Sequence, residues 1–206
     1  MNRTSATAWA RARTLEDLAA LNVRWLGGGL RHPGYGRPDP ETVPLAAVLQ
    51  ALNHAGLVTS SSQPGRGADT GWEQRAYVAG FAGPGAALAL TLLARTAGLT
   101  AVTYAPDRLP AADQDSKAVQ VSRRTIPLDH PDAAGQTIAA VQLSRDTITT
   151  EWEGISGDAA GALCGAWQVT LIDPEWGRPL HLFNVLAVWA ASVLPAPVLL
   201  PALPES

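Results

Sequence analysis

The side chains best placed to do chemistry lie between Glu41 and Tyr77. Glu41 and Thr42 stand at the start of an apolar-periodic segment. Thr59, Ser60, Ser61, Ser62 and Gln63 leave an apolar run together and stop at Pro64-Gly65. A carboxylate beside a hydroxyl at a helix start, facing a row of hydroxyls at a strand end, makes a polar edge suited to a small ligand. The carboxylate can meet an ammonium group or a diol, and hydroxyls and free helix N–H groups can meet a ligand carboxylate. Tyr77, Tyr104, Trp72 and Trp176 are candidate faces for an aromatic ring or a cation.

Other chemistries find less support. No two histidines have metal-ligand spacing, so no metal site is expected. Cys164 sits among small residues, as a buried apolar thiol does. The GGGL and SQPGRG stretches lack the Gly-Lys-Ser/Thr ending of a phosphate loop. Ser156 and Ser192 lack a nucleophile-elbow pattern. The polar edge also has a plain structural explanation: acids are favoured at helix starts in any protein.

The elements that must position this edge can be read in order. Thr14 is a good N-cap with Asp17 three residues on, as in a capping box. Leu15, Leu18, Leu21, Val23, Trp25 and Leu26 follow as an amphipathic helix that stops at Gly27-Gly28-Gly29. Residues 30–41 are rich in Gly and Pro and read as a surface crossover, from which His32 or Tyr35 could reach a pocket. A second helix opens at Asp39 or Pro40, tolerates Pro44 in its first turn, buries Val43, Leu45, Val48, Leu49 and Leu52, and stops at Gly56. Strands are predicted over Leu57–Ser61 and Gln74–Phe81, joined by a polar link at 66–70. A helix over Ala86–Ala97 and a strand over Leu99–Tyr104 come next.

Lys117–Ile126 reads as a strand, and 129–136 as a polar loop. Ile138–Leu143 and Thr147–Trp152 read as a hairpin around Ser144-Arg145-Asp146. Gly154–Gly165 fits either a short helix or a loop. Trp167–Ile172 is a strand and Leu180–Val193 a final amphipathic helix. The pattern predicts an α/β (α+β) fold: one domain over residues 1–194 with a mixed sheet flanked by helices. Residues 195–206 form a proline-rich tail, expected on the surface or against a partner subunit, as in a homodimer.

Composition narrows the class. The 206 residues suit one domain, and 47% hydrophobic with 16% charged residues suits a globular one. A net charge of -3 with scattered arginines argues against nucleic acid as a partner. One cysteine excludes an internal disulfide framework and fits a reducing cytoplasm. The N-terminus has no apolar core of a secretory signal, and the longest apolar run, near Leu180–Val193, is too short for a membrane span.

The stretch ETVPLAAVLQALNHAGLVTSSSQPG, followed by QRAYVAGF, resembles the C-terminal regulatory domain of eukaryotic methylenetetrahydrofolate reductase. The matching residues are Glu41-Thr42, Leu49 with Asn53 and Gly56, Thr59 with Ser62-Gln63-Pro64, and Gln74-Arg75-Ala76-Tyr77 with Phe81. Near the end, WQVTLIDPEWGRPLHLFNVL is similar to the family's closing segment, through Asp173 and Pro179-Leu180. The match covers residues 38–105 and 166–190, and the region between Ser116 and Gly165 matches poorly. An Ala/Gly/Pro/Arg-rich composition suits a high-GC genome, as expected of a stand-alone actinobacterial relative.

The resemblance implies a ligand: S-adenosylmethionine or S-adenosylhomocysteine. It marks Glu41, Thr42, Thr59 and Ser62 as contacts, with Gln63 beside them and Thr125 as a counterpart of a further family threonine. The flavin-containing barrel of the reductase has no counterpart here, so folate reduction and FAD are not expected. Lys117 is the one lysine and lies in no pyridoxal motif, so pyridoxal phosphate is not expected either.

Two functions follow from that ligand. One is an enzyme of specialised metabolism that cleaves S-adenosylmethionine by intramolecular displacement. It would release methylthioadenosine and form 1-aminocyclopropane-1-carboxylate, with Glu41 or Tyr77 as the base. The other is a non-catalytic sensor that reports S-adenosylmethionine or S-adenosylhomocysteine to a partner. A methyltransferase is a weaker fit, because no glycine-rich strand–loop–helix is evident.

Overall fold

The alternating residues of Tyr77–Ala82 and Trp167–Ile172 build the two central strands of a four-stranded sheet. The computed structural model describes residues 3–106, 109–114, 117–125 and 138–194. In chain order the helices are α1 (Arg3–Ala10), α2 (Leu15–Leu26), α3 (Ala46–His54), α4 (Pro84–Thr96), α5 (Arg145–Glu151), α6 (Gly157–Cys164) and α7 (His181–Val193). The strands are β1 (Leu57–Gln63), β2 (Trp72–Gln74), β3 (Tyr77–Ala82), β4 (Thr100–Tyr104), β5 (Val119–Gln120), β6 (Ser122–Arg124), β7 (Ile138–Ala139) and β8 (Trp167–Ile172). The main sheet has the order β1-β3-β8-β4, and β2-β6 and β5-β7 form two small ribbons. The fold is the expected α+β domain.

The sheet was expected to be mixed, yet every pairing of its described strands is antiparallel. The reason is topological. The β3–α4–β4 crossover does leave two strands running the same way, but β8 inserts between them, pairing Ala79 with Thr170 on one side and Val102 with Thr170 on the other. Such a split β–α–β unit places parallel strands in one sheet without pairing them.

Strand alternation sorts the side chains onto two faces. Val78, Ala82, Val169 and Leu171 point to one face and pack with Leu45, Val48, Leu49 and Leu52 around α3, with Leu90 of α4, and with Leu182, Phe183 and Leu186 of α7. Each such Val, Leu or Phe side chain contributes roughly 1.5–3 kcal/mol on burial. The opposite face is divided. Phe81 and Val58 join Trp9, Leu18, Ile148, Trp152 and Leu163 in one cluster, and Tyr77 and Ile172 join Val121, Ala139 and Ala140 in another. Between these two small cores the sheet surface is made of Ala79, Gln168 and Thr170. Small and polar residues there leave space, and a cavity opens over them.

Several local expectations hold, and several change. The capping box of α2 is present: Thr14 Oγ1 accepts the Asp17 N–H at 3.1 Å, and Asp17 Oδ2 accepts the Thr14 N–H at 3.2 Å. The expected strand over Gln74–Phe81 breaks at Arg75-Ala76. Arg75 N–H donates to the Val121 carbonyl and the Asp173 N–H to the Ala76 carbonyl, so β2 joins β6 while β3 joins the main sheet. Val121 likewise divides the strand expected over Lys117–Ile126 into β5 and β6. The hairpin expected at 138–152 is a short strand followed by α5. Ser144 caps that helix by accepting the Thr147 N–H at 3.2 Å, and this cap outweighs the β-branched Thr and Ile content that suggested a strand. Gly154–Gly165 resolves into α6, capped by Ser156. The loop expected at 129–136 and the tail at 195–206 lie outside the described residues. No helix among the described residues is long and apolar enough to cross a membrane.

Candidate functional site

The polar strand end is shaped by one extra residue. In the β1–β3 register Thr59 faces Gly80 and Ser61 faces Ala79, so Ser60 is an unpaired bulge. Bulges re-aim side chains and commonly sit beside functional sites. The strands meet closely here: a Cβ on Gly80 would lie 2.4 Å from the Val58 carbonyl oxygen, so only glycine fits. At the bulge, cavities open on both sides of β1. The larger, of about 460 Å³, is lined among others by Tyr35, Ser61, Tyr77, Phe81, Glu151 and Thr170. The smaller, of about 200 Å³, is lined among others by Trp25, Asp39, Thr42, Thr59, Ser62 and Gln63. Tyr35, Ser60 and Ser61 belong to both, so the two are adjoining chambers.

Sequence reasoning named Glu41, Thr42, Thr59, Ser62, Gln63, Tyr77 and Thr125. Thr42, Thr59, Ser62 and Gln63 come together on the wall of the smaller chamber. Tyr77 lines the larger one. Glu41 lines neither, but it is exposed next to Thr42 and its charge reaches the Tyr77 phenol. Thr125 stands apart. It follows β6, its N–H donates to the Gly71 carbonyl and its hydroxyl to the Ala68 carbonyl, and it lines neither chamber.

Three of these residues have structural work as well. The Thr59 hydroxyl accepts from Asn53 Nδ2 at 2.8 Å, and the Thr59 carbonyl accepts from Asn22 Nδ2 at 2.8 Å. Asn53 Nδ2 also donates to the Leu49 carbonyl, which ties α2, α3 and β1 into one buried polar knot. Gln63 Oε1 accepts from Gln74 Nε2 at 2.5 Å. The Tyr77 hydroxyl shares a 3.0 Å hydrogen bond with Ser61. Burial raises the Tyr77 pKa above the usual phenol value; the Ser61 bond opposes this and the charge of Glu41 adds to it. At neutral pH Tyr77 is therefore a proton donor rather than a base.

The loop after α2 does more than cross over. His32 and Gly36 pair through two backbone bonds of 2.7 and 3.0 Å, and Trp25 Nε1 donates to the Gly36 carbonyl at 3.0 Å. Gly36 has φ 73°, a conformation that favours glycine. His32 Nδ1 accepts the N–H groups of Gly34 and Tyr35, at 3.1 and 3.2 Å. Its ring stacks on Tyr35 with centroids 4.6 Å apart, and Trp9 and Trp152 pack against it edge-on. This anchor presents Tyr35 to both chambers. Burial, then the charge of Glu151 and its hydrogen bond, push the Tyr35 pKa up to about 12.

Sequence reasoning missed Asp113, Glu151, Gln168 and Thr170, all of which line the larger chamber. Glu151 was hidden by assigning its segment to a hairpin. Gln168 and Thr170 left a usable trace: in Trp167–Ile172 they are polar residues spaced by two within an otherwise apolar strand. Asp113 left none. Among the described residues no group of three or more His, Cys, Asp or Glu could hold a metal ion.

Fold and site together define an α+β domain with a two-chambered cavity at a bulged strand end. The chain belongs to a family described as a domain of unknown function (DUF6919), whose family model matches residues 4–192. No curated protein matches the chain.

Proposed function

We propose that this protein binds S-adenosylmethionine at the Ser60 bulge and cleaves it by intramolecular displacement. The amino-acid head would occupy the smaller chamber and the adenosyl group the larger. The carrying observation is convergence. Thr42 from a helix start and Thr59, Ser62 and Gln63 from a strand end line one wall, and these are positions at which the chain resembles the reductase regulatory domain. The larger chamber, at about 460 Å³, falls within the range typical of small-molecule sites. Tyr35, Tyr77 and Phe81 offer ring faces for an adenine or a cation, and Asp39 offers a carboxylate for an amino group.

In the displacement a base takes the α-proton of the methionine portion. The carbon electron pair closes on the γ-carbon, and the C–S bonding pair leaves with sulfur. The products are 1-aminocyclopropane-1-carboxylate and methylthioadenosine. Glu41, beside Thr42, is the carboxylate to test as base, and Tyr77 suits a donor to the ligand. The single, buried cysteine fits action in a reducing cytoplasm.

A second reading is favoured by one observation: the Tyr35 and Tyr77 hydroxyls on the cavity wall are already fixed by hydrogen bonds to Glu151 and Ser61. A site of fixed donors suits a sensor that holds S-adenosylmethionine or S-adenosylhomocysteine unchanged. Calorimetry and mass spectrometry on the same sample separate the two. Binding with release of methylthioadenosine supports the enzyme. Binding with intact ligand supports the sensor, and absence of binding by either adenosyl compound overturns both.

A further inference from the structure

The mouth of the larger chamber carries two carboxylates, Asp113 and Glu151, that the resemblance to the reductase domain does not assign. Glu151 is half-buried at the end of α5, and its Oε2 accepts the Tyr35 hydroxyl at 3.4 Å. Asp113 is exposed at the rim, where its Oδ1 accepts the Ser144 N–H at 2.7 Å and the Thr147 hydroxyl at 2.8 Å. These bonds outweigh its partial desolvation and keep the Asp113 pKa below the usual carboxylate value. Burial raises the Glu151 pKa; the Tyr35 bond opposes this, and the charge of Asp113 adds to it. Neither acid forms an ion pair among the described residues, and no Lys, Arg or His lines the chamber. Two like charges at one mouth, beside the rings of Tyr35 and Tyr77, are stabilised by a cation entering between them.

A second observation comes from the chamber floor. Thr170 lies on β8 at 7% exposure, on the same strand face as Gln168. Gln168 is fully used: its Oε1 accepts the Leu143 N–H at 2.7 Å and its Nε2 donates to the Leu143 carbonyl at 2.8 Å. The Thr170 hydroxyl has no hydrogen-bond partner among the described residues and lines the cavity. A hydroxyl that lines the cavity and makes no protein hydrogen bond is open to a ligand.

We propose that Glu151 and Asp113 determine specificity for positive charge at the ligand's sulfur, holding the sulfonium at the chamber mouth while the Thr170 hydroxyl meets a polar group at the floor. This rests on the reading of the cavity as an adenosyl-ligand site. A neutral thioether gains nothing from the two carboxylates, so the site prefers S-adenosylmethionine to S-adenosylhomocysteine.

Calorimetric titration of both compounds into the wild type, Glu151→Gln, Asp113→Asn and Thr170→Val tests it. The wild type is expected to bind the sulfonium more tightly. Glu151→Gln is expected to lose about fivefold in affinity for S-adenosylmethionine and to hold S-adenosylhomocysteine within about twofold. Asp113→Asn shifts the ratio the same way by less, and it carries the comparison if Glu151→Gln fails to fold. Thr170→Val weakens both ligands. Equal losses for the two ligands in Glu151→Gln, or a wild type that binds both equally, overturn this inference and leave the proposed function standing. A wild type that binds neither overturns the proposed function itself.

Discussion

His32 links the stability of this protein to pH and to the geometry of its cavity. The side chain is buried at 1% exposure, and burial lowers its pKa from 6.5 to about 4. Its Nδ1 accepts two backbone N–H bonds, which require that nitrogen to be unprotonated. In the unfolded chain the imidazole titrates near the ordinary value of about 6.5. Between about pH 4 and pH 6.5 the unfolded state therefore binds a proton that the folded state refuses. Stability contributed by His32 is complete above the unfolded pKa, falls as pH drops through the window, and levels off below the folded pKa. A difference of about 2.5 pH units at ~1.36 kcal/mol each gives about 3 kcal/mol in all, of which about 2.5 kcal/mol is lost by pH 4.5.

Urea unfolding followed by tryptophan fluorescence at pH 7.5 and pH 4.5 measures this, in the wild type and in His32→Asn. Carboxylates titrate alike in both proteins, so the difference between their pH dependences isolates His32. The wild type is expected to lose about 2.5 kcal/mol more than the variant between the two pH values. An imidazole signal titrating near 6.5 in the folded protein, or identical pH dependences, would refute the reasoning. Because His32 holds the Tyr35 backbone and stacks on its ring, ligand binding is expected to weaken over the same window.

Three further outcomes are expected. Gly80→Ala forces its Cβ against the Val58 carbonyl at the bulge and costs about 1–3 kcal/mol, read as a lower thermal midpoint; an unchanged midpoint means that β1 can shift freely. Arg178→Met strips the cation from Asp173, a fully buried carboxylate whose Oδ1 it meets at 2.5 Å. The loss is about 2 kcal/mol, less than for a fully buried pair because Arg178 is one-third exposed; adding Asp173→Asn should restore part of it. Cys164 is buried and burial raises its thiol pKa, so a disulfide reagent should label it only at the rate of unfolding, and rapid labelling of the native protein would contradict its placement.

Much of this protein is fixed locally and was legible without coordinates. The capping box at Thr14 and Asp17, the periodicity of α4 and α7, and the apolar alternation of β8 all act through neighbours a few residues apart. So does the hydroxyl row from Thr59 to Ser62, of which Thr59 is buried against Asn53 and Ser60 to Ser62 lie at the open edge. Other features depend on which distant groups arrive. The insertion of β8 between β3 and β4 and the break at Arg75-Ala76 both follow from long-range hydrogen bonds and pairings.

The site divides along the same line. Sequence alone determined the wall of the smaller chamber, because Thr42, Thr59, Ser62 and Gln63 flank one helix and the strand after it. Of the larger chamber, sequence pointed to Tyr77 and Tyr35, and tertiary structure decided the rest. It set Asp113, Glu151 and Tyr35 around one mouth, with Thr170 lining the floor below them. No spacing rule joins those residues. They meet because the second face of the sheet carries two separate small cores, and small side chains between them leave a gap that three different segments enclose.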